Sequence, residues 1–187
     1  MIAAKVGKIS YKMCNVALEE DVAARFGGAD ILINNAGINP NYTRAEKTTL
    51  KEWQDVVAVN LTGVFLGCRI FGQRMLEKGA GSIVNVNSVA GHVGLPRTAA
   101  YCAAKGGVEI MSKSLAIEWA ARGVRVNCIA PGYFETDLTA GLRDNASLSE
   151  NMLSHPPRGG SAARGNSSVP RCFRRHLPLL MSQGRRF

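Results

Sequence analysis

Three short apolar runs separated by two long helical patterns set the main constraint on what this chain can become. The runs are "ADILINNAG" (29–37), "SIVNVNS" (82–88) and "VRVNCIAPG" (124–132), rich in the Ile and Val that suit buried strands. Between the first two lies "TLKEWQDVVAVNLTGVFLGCRIFGQRMLEKG" (49–79), with Trp53, Val56, Val57, Leu61, Val64, Phe65 and Cys68 at helical spacing. Gly79 and Gly81 end it, and residues 98–122 give a second long helix with a Gly-Gly pair at 106–107. Upstream, "KISYKMCNV" (8–16) reads as a further strand and "ALEEDVAARF" (17–26) as a helix. Antiparallel strands can turn back in two residues, whereas parallel strands need a crossover of a dozen or more. The pattern therefore predicts right-handed βαβ units and a parallel sheet in an α/β fold. Ligands of such sheets sit beyond the carboxyl ends of the strands. Asn35-Ala36-Gly37, Ser88 and Pro131-Gly132 all fall there, at one mouth.

The stretch "NSVAGHVGLPRTAAYCAAK" (87–105) brings Ser88, Tyr101 and Lys105 to that mouth. A free tyrosine titrates near 10 and is a poor base at neutral pH. A nearby ammonium favours the phenolate, and residues four apart on a helix share a face, so Lys105 is expected to lower the Tyr101 pKa. Ser88 is placed to donate a hydrogen bond to a substrate oxygen. Such a trio would protonate an alkoxide, or take a proton from an alcohol, while hydride moves to or from a nicotinamide. A Tyr and a Lys four apart also arise by chance in helices, and Ser in a Gly-rich loop is commonly turn chemistry. The trio alone does not choose between these readings.

Five segments taken in order do choose: "NNAG" at 34–37, "NLTG" at 60–63, "IVNVNSVAG" at 83–91, "YCAAK" at 101–105 and "VNCIAPGYFETD" at 126–137. Over about residues 8–142 the chain resembles the short-chain dehydrogenase/reductase family, in particular its 3-oxoacyl-carrier-protein reductase-like and sugar-alcohol dehydrogenase-like members. The resemblance implies a Rossmann-like, doubly wound parallel sheet and NAD(P)(H)-dependent interconversion of a secondary alcohol and a ketone. It implies a tetrad of Asn60, Ser88, Tyr101 and Lys105. Tyr101 would be the acid/base, Ser88 would orient the substrate and Asn60 would hold a water in the proton relay. Lys105 would bind the nicotinamide ribose and tune Tyr101. For the cofactor, NAD or NADP, the resemblance implies Asn35, Ala36 and Gly37 on the adenosine side, and Ile129, Pro131, Gly132 and Thr136 around the nicotinamide and phosphates. Asn60 also reads as a helix-kink residue, Asn35 as a turn residue and Pro131-Gly132 as a strand terminator. Substrate would be a small-molecule alcohol or ketone, and helices 49–79 and 98–122 would pair protomers into a homodimer or homotetramer.

The chain also departs from the family pattern. It opens at what resembles the family's third strand, so the expected fold is a partial sheet lacking the family's first two strands and its last. The glycine-rich pyrophosphate loop and the position that selects NAD over NADP are then missing, and Asn15 stands where the family usually has Asp. Without the first strand, the run at 29–37 is expected to form an exposed edge, and residues 1–28 to pack poorly or against a non-family partner. Residues 1–154 are read as this incomplete domain and 155–187 as a basic tail of low order, with the composition of an out-of-frame translation. The alternative function is accordingly a truncated, catalytically incompetent fragment that retains only helix-mediated association.

Charge follows the same boundary. Residues 1–150 carry 16 Lys and Arg against 14 acids, whereas 151–187 carry seven Arg and no acid, and so hold most of the net +9. A basic surface confined to an aromatic-poor tail argues against nucleic acid as the partner. No apolar run looks long enough to span a membrane, and the start "MIAAKVGKIS" lacks a secretory signal pattern. Five scattered cysteines without a C-x-x-C pair exclude a zinc site and a disulfide framework, and point to the reducing cytoplasm.

Overall fold

The computed structural model describes residues 14–19, 29–132, 134 and 136–139. Its centre is a parallel three-stranded sheet in the order β1 (Ile31–Asn34), β2 (Gly81–Val86), β3 (Val124–Ile129). Ile31 pairs with Ser82 and Asn34 with Asn85, while Gly81 pairs with Val124 and Val86 with Ile129. Each strand occupies the start of its apolar run. The Asn, Gly and Pro that follow leave the ladder and form the loops at the carboxyl edge, as turn chemistry requires.

Helix α1 (Leu50–Val57) begins with a capping box, in which Thr49 and Glu52 satisfy each other's backbone N–H groups. A π-turn over Ala58–Thr62 joins it to α2 (Gly63–Lys78), which ends at Gly79 in the left-handed conformation. Helix α3 (Ala99–Ala120) crosses from β2 to β3. Val64, Cys68, Phe71 and Met75 of α2 meet Ile83 of β2, Val108 and Trp119 of α3, and Val124, Val126 and Cys128 of β3 in one core. Each such side chain contributes roughly 1.5–3 kcal/mol by leaving water.

The long helix is present but interrupted by the π-turn, so its two halves differ in phase. Leu50–Lys78 is in fact long and apolar enough to cross a membrane by length and composition, yet half of its most apolar stretch is buried inside the fold. Val56, Val64, Leu66, Cys68, Phe71 and Met75 of this segment are buried. The strand and helix read at 8–26 lie largely outside the described residues. Within 14–19, Cys14 to Val16 form loop and turn instead of strand, with Asn15 Oδ1 accepting from the Ala17 N–H at 3.0 Å. Of residues 1–28, Cys14 lies against the core and a Cβ at Gly63 would sit 2.8 Å from the Val16 carbonyl oxygen, whereas Leu18 is exposed. The tail at 155–187 lies outside the described residues. The exposed edge at 29–37 is observed, with β1 paired on one side only among the described residues and Ile31 and Ile33 exposed by 65% and 62%.

The tightest helix–helix approach is at Gly72, where a Cβ would lie 2.6 Å from the Trp119 ring, which is itself buried. Gly72→Val is expected to lower stability by about 1–3 kcal/mol through overpacking. Gly94→Ala, which meets nothing within 4 Å, should leave the urea midpoint, read by tryptophan fluorescence, nearly unmoved.

Candidate active site

Beyond the carboxyl ends of the strands lies a cleft of about 280 Å³, near the lower end of the roughly 300–1,000 Å³ of small-molecule pockets. Asn35 and Gly37 reach it from the loop after β1, Ser88 from the loop after β2, and Pro131 and Gly132 from the loop after β3. Tyr101 and Lys105 project into it from the first turns of α3, and Thr136 closes one side. The sequence-predicted mouth is therefore real, and the spacing of Tyr101 and Lys105 does put both on its wall. Ala36, Asn60 and Ile129 are not among its lining residues.

Asn60 is fully occupied elsewhere. It is buried at the π-turn, where its Nδ2 donates to the carbonyl oxygens of Ile38 at 2.8 Å and Val56 at 2.9 Å, and its Oδ1 accepts from the Ile38 N–H at 3.1 Å. The side chain fastens the loop after β1 and lies at the break in the helix. Gly37 permits this closure, since a Cβ there would stand 2.8 Å from the Asn60 Oδ1.

The Lys105 side chain is only 4% exposed, and its Nζ donates to the Val86 carbonyl at 2.8 Å. Burial pulls its pKa down to about 8, because a desolvated ammonium is costly. The Nζ sits 5.7 Å from the centroid of the Tyr101 ring, over its face, within cation–π range. The Tyr101 phenol itself is pushed up from its usual value by burial, and hydrogen bonding with Ser88 opposes that rise. The expected lowering of Tyr101 by Lys105 is thus corrected. The ammonium is bonded to the end of β2 and faces the ring, so the net result of this environment is a neutral phenol.

The Ser88 loop is braced from both sides. Asn87 N–H donates to the Ile129 carbonyl at 2.7 Å and Val89 N–H to that of Pro131 at 3.1 Å. Glu109, one turn beyond Lys105 on α3, accepts from Asn87 Nδ2 at 3.1 Å and faces His92 Nε2 at 2.9 Å and Lys113 Nζ at 2.7 Å. Ser88 Oγ accepts from the Ala90 N–H at 3.2 Å. The sequence motifs did not single out Glu109, Asn87, Asn39 or Tyr42. Glu109 could have been found from its place four residues after Lys105, and Asn39 and Tyr42 from following a strand end at the mouth.

Residues 4–147 match the model of the short chain dehydrogenase family. The chain belongs to that family. It is 49% identical over 122 residues to a D-threitol dehydrogenase of Mycolicibacterium smegmatis, an alignment that covers 65% of this chain and 46% of that protein. It is 38% identical over 173 residues to a 2-(R)-hydroxypropyl-CoM dehydrogenase of Xanthobacter autotrophicus, with 87% and 69% covered. A gluconate 5-dehydrogenase from Burkholderia cenocepacia, solved in complex with NADP and tartrate, superimposes with a TM-score of 0.70 at 35% identity, over 78% of this chain and 60% of that one. The chain thus spans about half the length of the first of these relatives. The Rossmann-like fold of dehydrogenases and reductases follows from this membership, and solved relatives carry NADP.

The residues present fit the nicotinamide-riboside half of such a cofactor. Lys105 has three N–H donors, one of which is taken by Val86, so two remain for ribose hydroxyls. A Cβ at Gly37 would lie 3.8 Å from Lys105 Nζ, so the glycine keeps the approach to that ammonium open.

Burial of Lys105 has a measurable consequence. The unfolded chain keeps this proton to about pH 10.5, the folded chain only to about 8, so between these values unfolding takes up protons and stability rises with pH. Relative to Lys105→Met, the parent chain should gain roughly 2–3 kcal/mol between pH 7 and about 10.5, measured by urea denaturation across that range.

Proposed function

We propose that this protein is an NAD(P)(H)-dependent oxidoreductase that interconverts a secondary alcohol and a ketone, with Tyr101 as the acid/base. The observation that carries the reading is that Ser88, Tyr101 and the buried Lys105 line one cleft, with Lys105 Nζ 5.7 Å from the centre of the Tyr101 ring. Ser88 and Tyr101 together hold one substrate oxygen. In ketone reduction the neutral Tyr101 hydroxyl gives its proton to that oxygen as charge develops on it. In alcohol oxidation Tyr101 must first have given up its proton to solvent, and the resulting phenolate takes the substrate hydroxyl proton as the carbinol C–H bond breaks. When bound, the nicotinamide supplies or accepts the hydride, so that each turnover moves one hydride and one proton. Lys105 and Tyr101 hold the ribose hydroxyls, Pro131, Gly132 and Thr136 flank the nicotinamide, and Asn35 with Gly37 extends the cradle towards the adenosine. Ala36 lies in the loop after β1, outside the cleft lining, and Ile129 holds the Ser88 loop through its carbonyl, which accepts from the Asn87 N–H. Asn60 acts through the Ile38 loop, with any relay water held by its neighbourhood and not by its side chain. Fluorescence titration with NADH and NADPH tests the cradle.

Relatives named for threitol, galactitol and gluconate dehydrogenation support an alcohol–ketone couple. We further infer a homodimer or homotetramer built through α1–α2 and α3. Leu50, Trp53 and Phe65 on the first and Ile110 and Ile117 on the second are large apolar side chains left exposed. Ile117→Lys should shift the sedimentation coefficient towards that of the monomer. We place the protein in the cytoplasm on its five scattered cysteines, which form no C-x-x-C pair.

Replacing Tyr101 by Phe removes the transferable proton and keeps the ring. Turnover, followed as NAD(P)H absorbance with a panel of secondary alcohols and ketones, should fall by about 10²–10⁴-fold. A variant that works as fast as the parent would put the acid/base elsewhere. A parent chain with no turnover would favour the alternative, a catalytically incompetent member that only associates through its helices.

A further inference from the structure

The loop between β1 and α1 carries two polar side chains that the chemistry above does not use. Asn39 and Tyr42 both line the cleft that holds Ser88 and Tyr101. Their loop is fastened on either side of Asn39. Upstream, Asn60 grips both backbone polar groups of Ile38, at 2.8 and 3.1 Å. Downstream, Asn41 Nδ2 donates to Glu52 Oε1 at 2.7 Å, and the other Glu52 oxygen is locked in the capping box, accepting from the Thr49 N–H at 2.8 Å. Tyr42 follows directly after this second anchor. A loop pinned at two such points presents its side chains with little ordering left to do when a substrate arrives.

The two side chains line one cleft with Tyr101, where a charge on Tyr42 would oppose ionisation of Tyr101. Burial keeps the Tyr42 phenol neutral. The cleft therefore has two neutral hydrogen-bonding stations: Ser88 with Tyr101, and Asn39 with Tyr42. A carboxamide and a phenol each both donate and accept, which matches another hydroxyl better than it matches an anion or an alkyl group. An alkyl group placed there would strip these groups of water without replacing the bond, at a cost of about tenfold or more in discrimination.

We propose that Asn39 and Tyr42 form a hydroxyl-recognition subsite, so that the alcohol taken by this cleft is a short, neutral polyol or its hydroxyketone. The reacting carbinol sits at Ser88 and Tyr101, and a second hydroxyl, on the neighbouring carbon or the next, sits at Asn39 and Tyr42. This rests on the alcohol–ketone reading of the site.

The test compares 2,3-butanediol and erythritol with 2-butanol, using the full chain with NAD+ and with NADP+. The parent is expected to show at least tenfold higher kcat/KM for the two polyols. Tyr42→Phe should collapse that ratio by raising KM for the polyols, and Asn39→Ala should do the same. Equal use of 2-butanol and the diol by the parent, or an equal effect of Tyr42→Phe on both, would overturn the subsite. Saturation-transfer NMR tests it without turnover. Erythritol should receive magnetisation from the parent and lose that transfer in Tyr42→Phe, while identical spectra for the two proteins would sink the subsite. Absence of turnover alongside a Tyr42-dependent erythritol signal would overturn the oxidoreductase reading and leave the subsite standing.

Discussion

The site depends on a buried amide, that of Asn85 in the middle of β2. Its Oδ1 accepts from Asn34 Nδ2 at 2.8 Å on β1, and its Nδ2 donates to Ser112 Oγ at 2.9 Å on α3. Cys68 Sγ on α2 also faces that oxygen, at 3.6 Å. A buried polar group without a partner costs about 1–3 kcal/mol. A one-residue slip of β1 against β2 would turn Asn34 to the face opposite Asn85, leaving Asn34 Nδ2 and Asn85 Oδ1 without each other. The register is thereby fixed, and with it the relative height of the strand ends. Asn35 to Gly37 start one residue after Asn34, and Ser88 stands three after Asn85. The same contact that orders the core sets how far apart those groups stand at the mouth.

Around that frame, the ionisable groups are arranged by burial more than by mutual attraction. Lys105 lies under the cleft with one proton on Val86, and Tyr101 is kept neutral despite a cation 5.7 Å from its ring centre. Through-ring contact stabilises the ammonium but does little for a phenolate whose charge resides on the far oxygen. Charge at the hydroxyl must then come mainly from what occupies the cleft together with Ser88. Glu109 contributes from behind, joining Asn87 and His92 of the Ser88 loop to Lys113 of α3.

The strands, both long helices and the common mouth were legible because they depend on short-range patterns: apolar runs, helical spacing and the turn residues that end them. Ser88, Tyr101 and Lys105 were legible for the same reason, two of them lying on one helix turn. What a linear reading could not supply was the partner of each polar group. Asn60 reads equally as a water holder or a kink residue, and only the close approach of Ile38 shows where its amide is directed. The pKa of Tyr101 depends on solvent exclusion by segments far apart in sequence, so the Tyr-x-x-x-Lys spacing gave its sign incorrectly. Asn39 and Tyr42 belong to no recurrent spacing, and their place in the cleft results from two anchors, at Ile38 and Asn41.

The π-turn at Ala58–Thr62 carries a consequence for how such a protein can diversify. One extra residue in a helix advances its phase by about 100°. Helix α1 can therefore hold its capping box beside the Asn41 loop while α2 turns Val64, Cys68, Phe71 and Met75 towards the sheet. The two faces are set by separate stretches of sequence with a phase break between them. Substitutions in the loop that α1 anchors are in this way insulated from the packing of α2 that keeps the fold, so that one interrupted helix serves both the interior and the loop at the entrance.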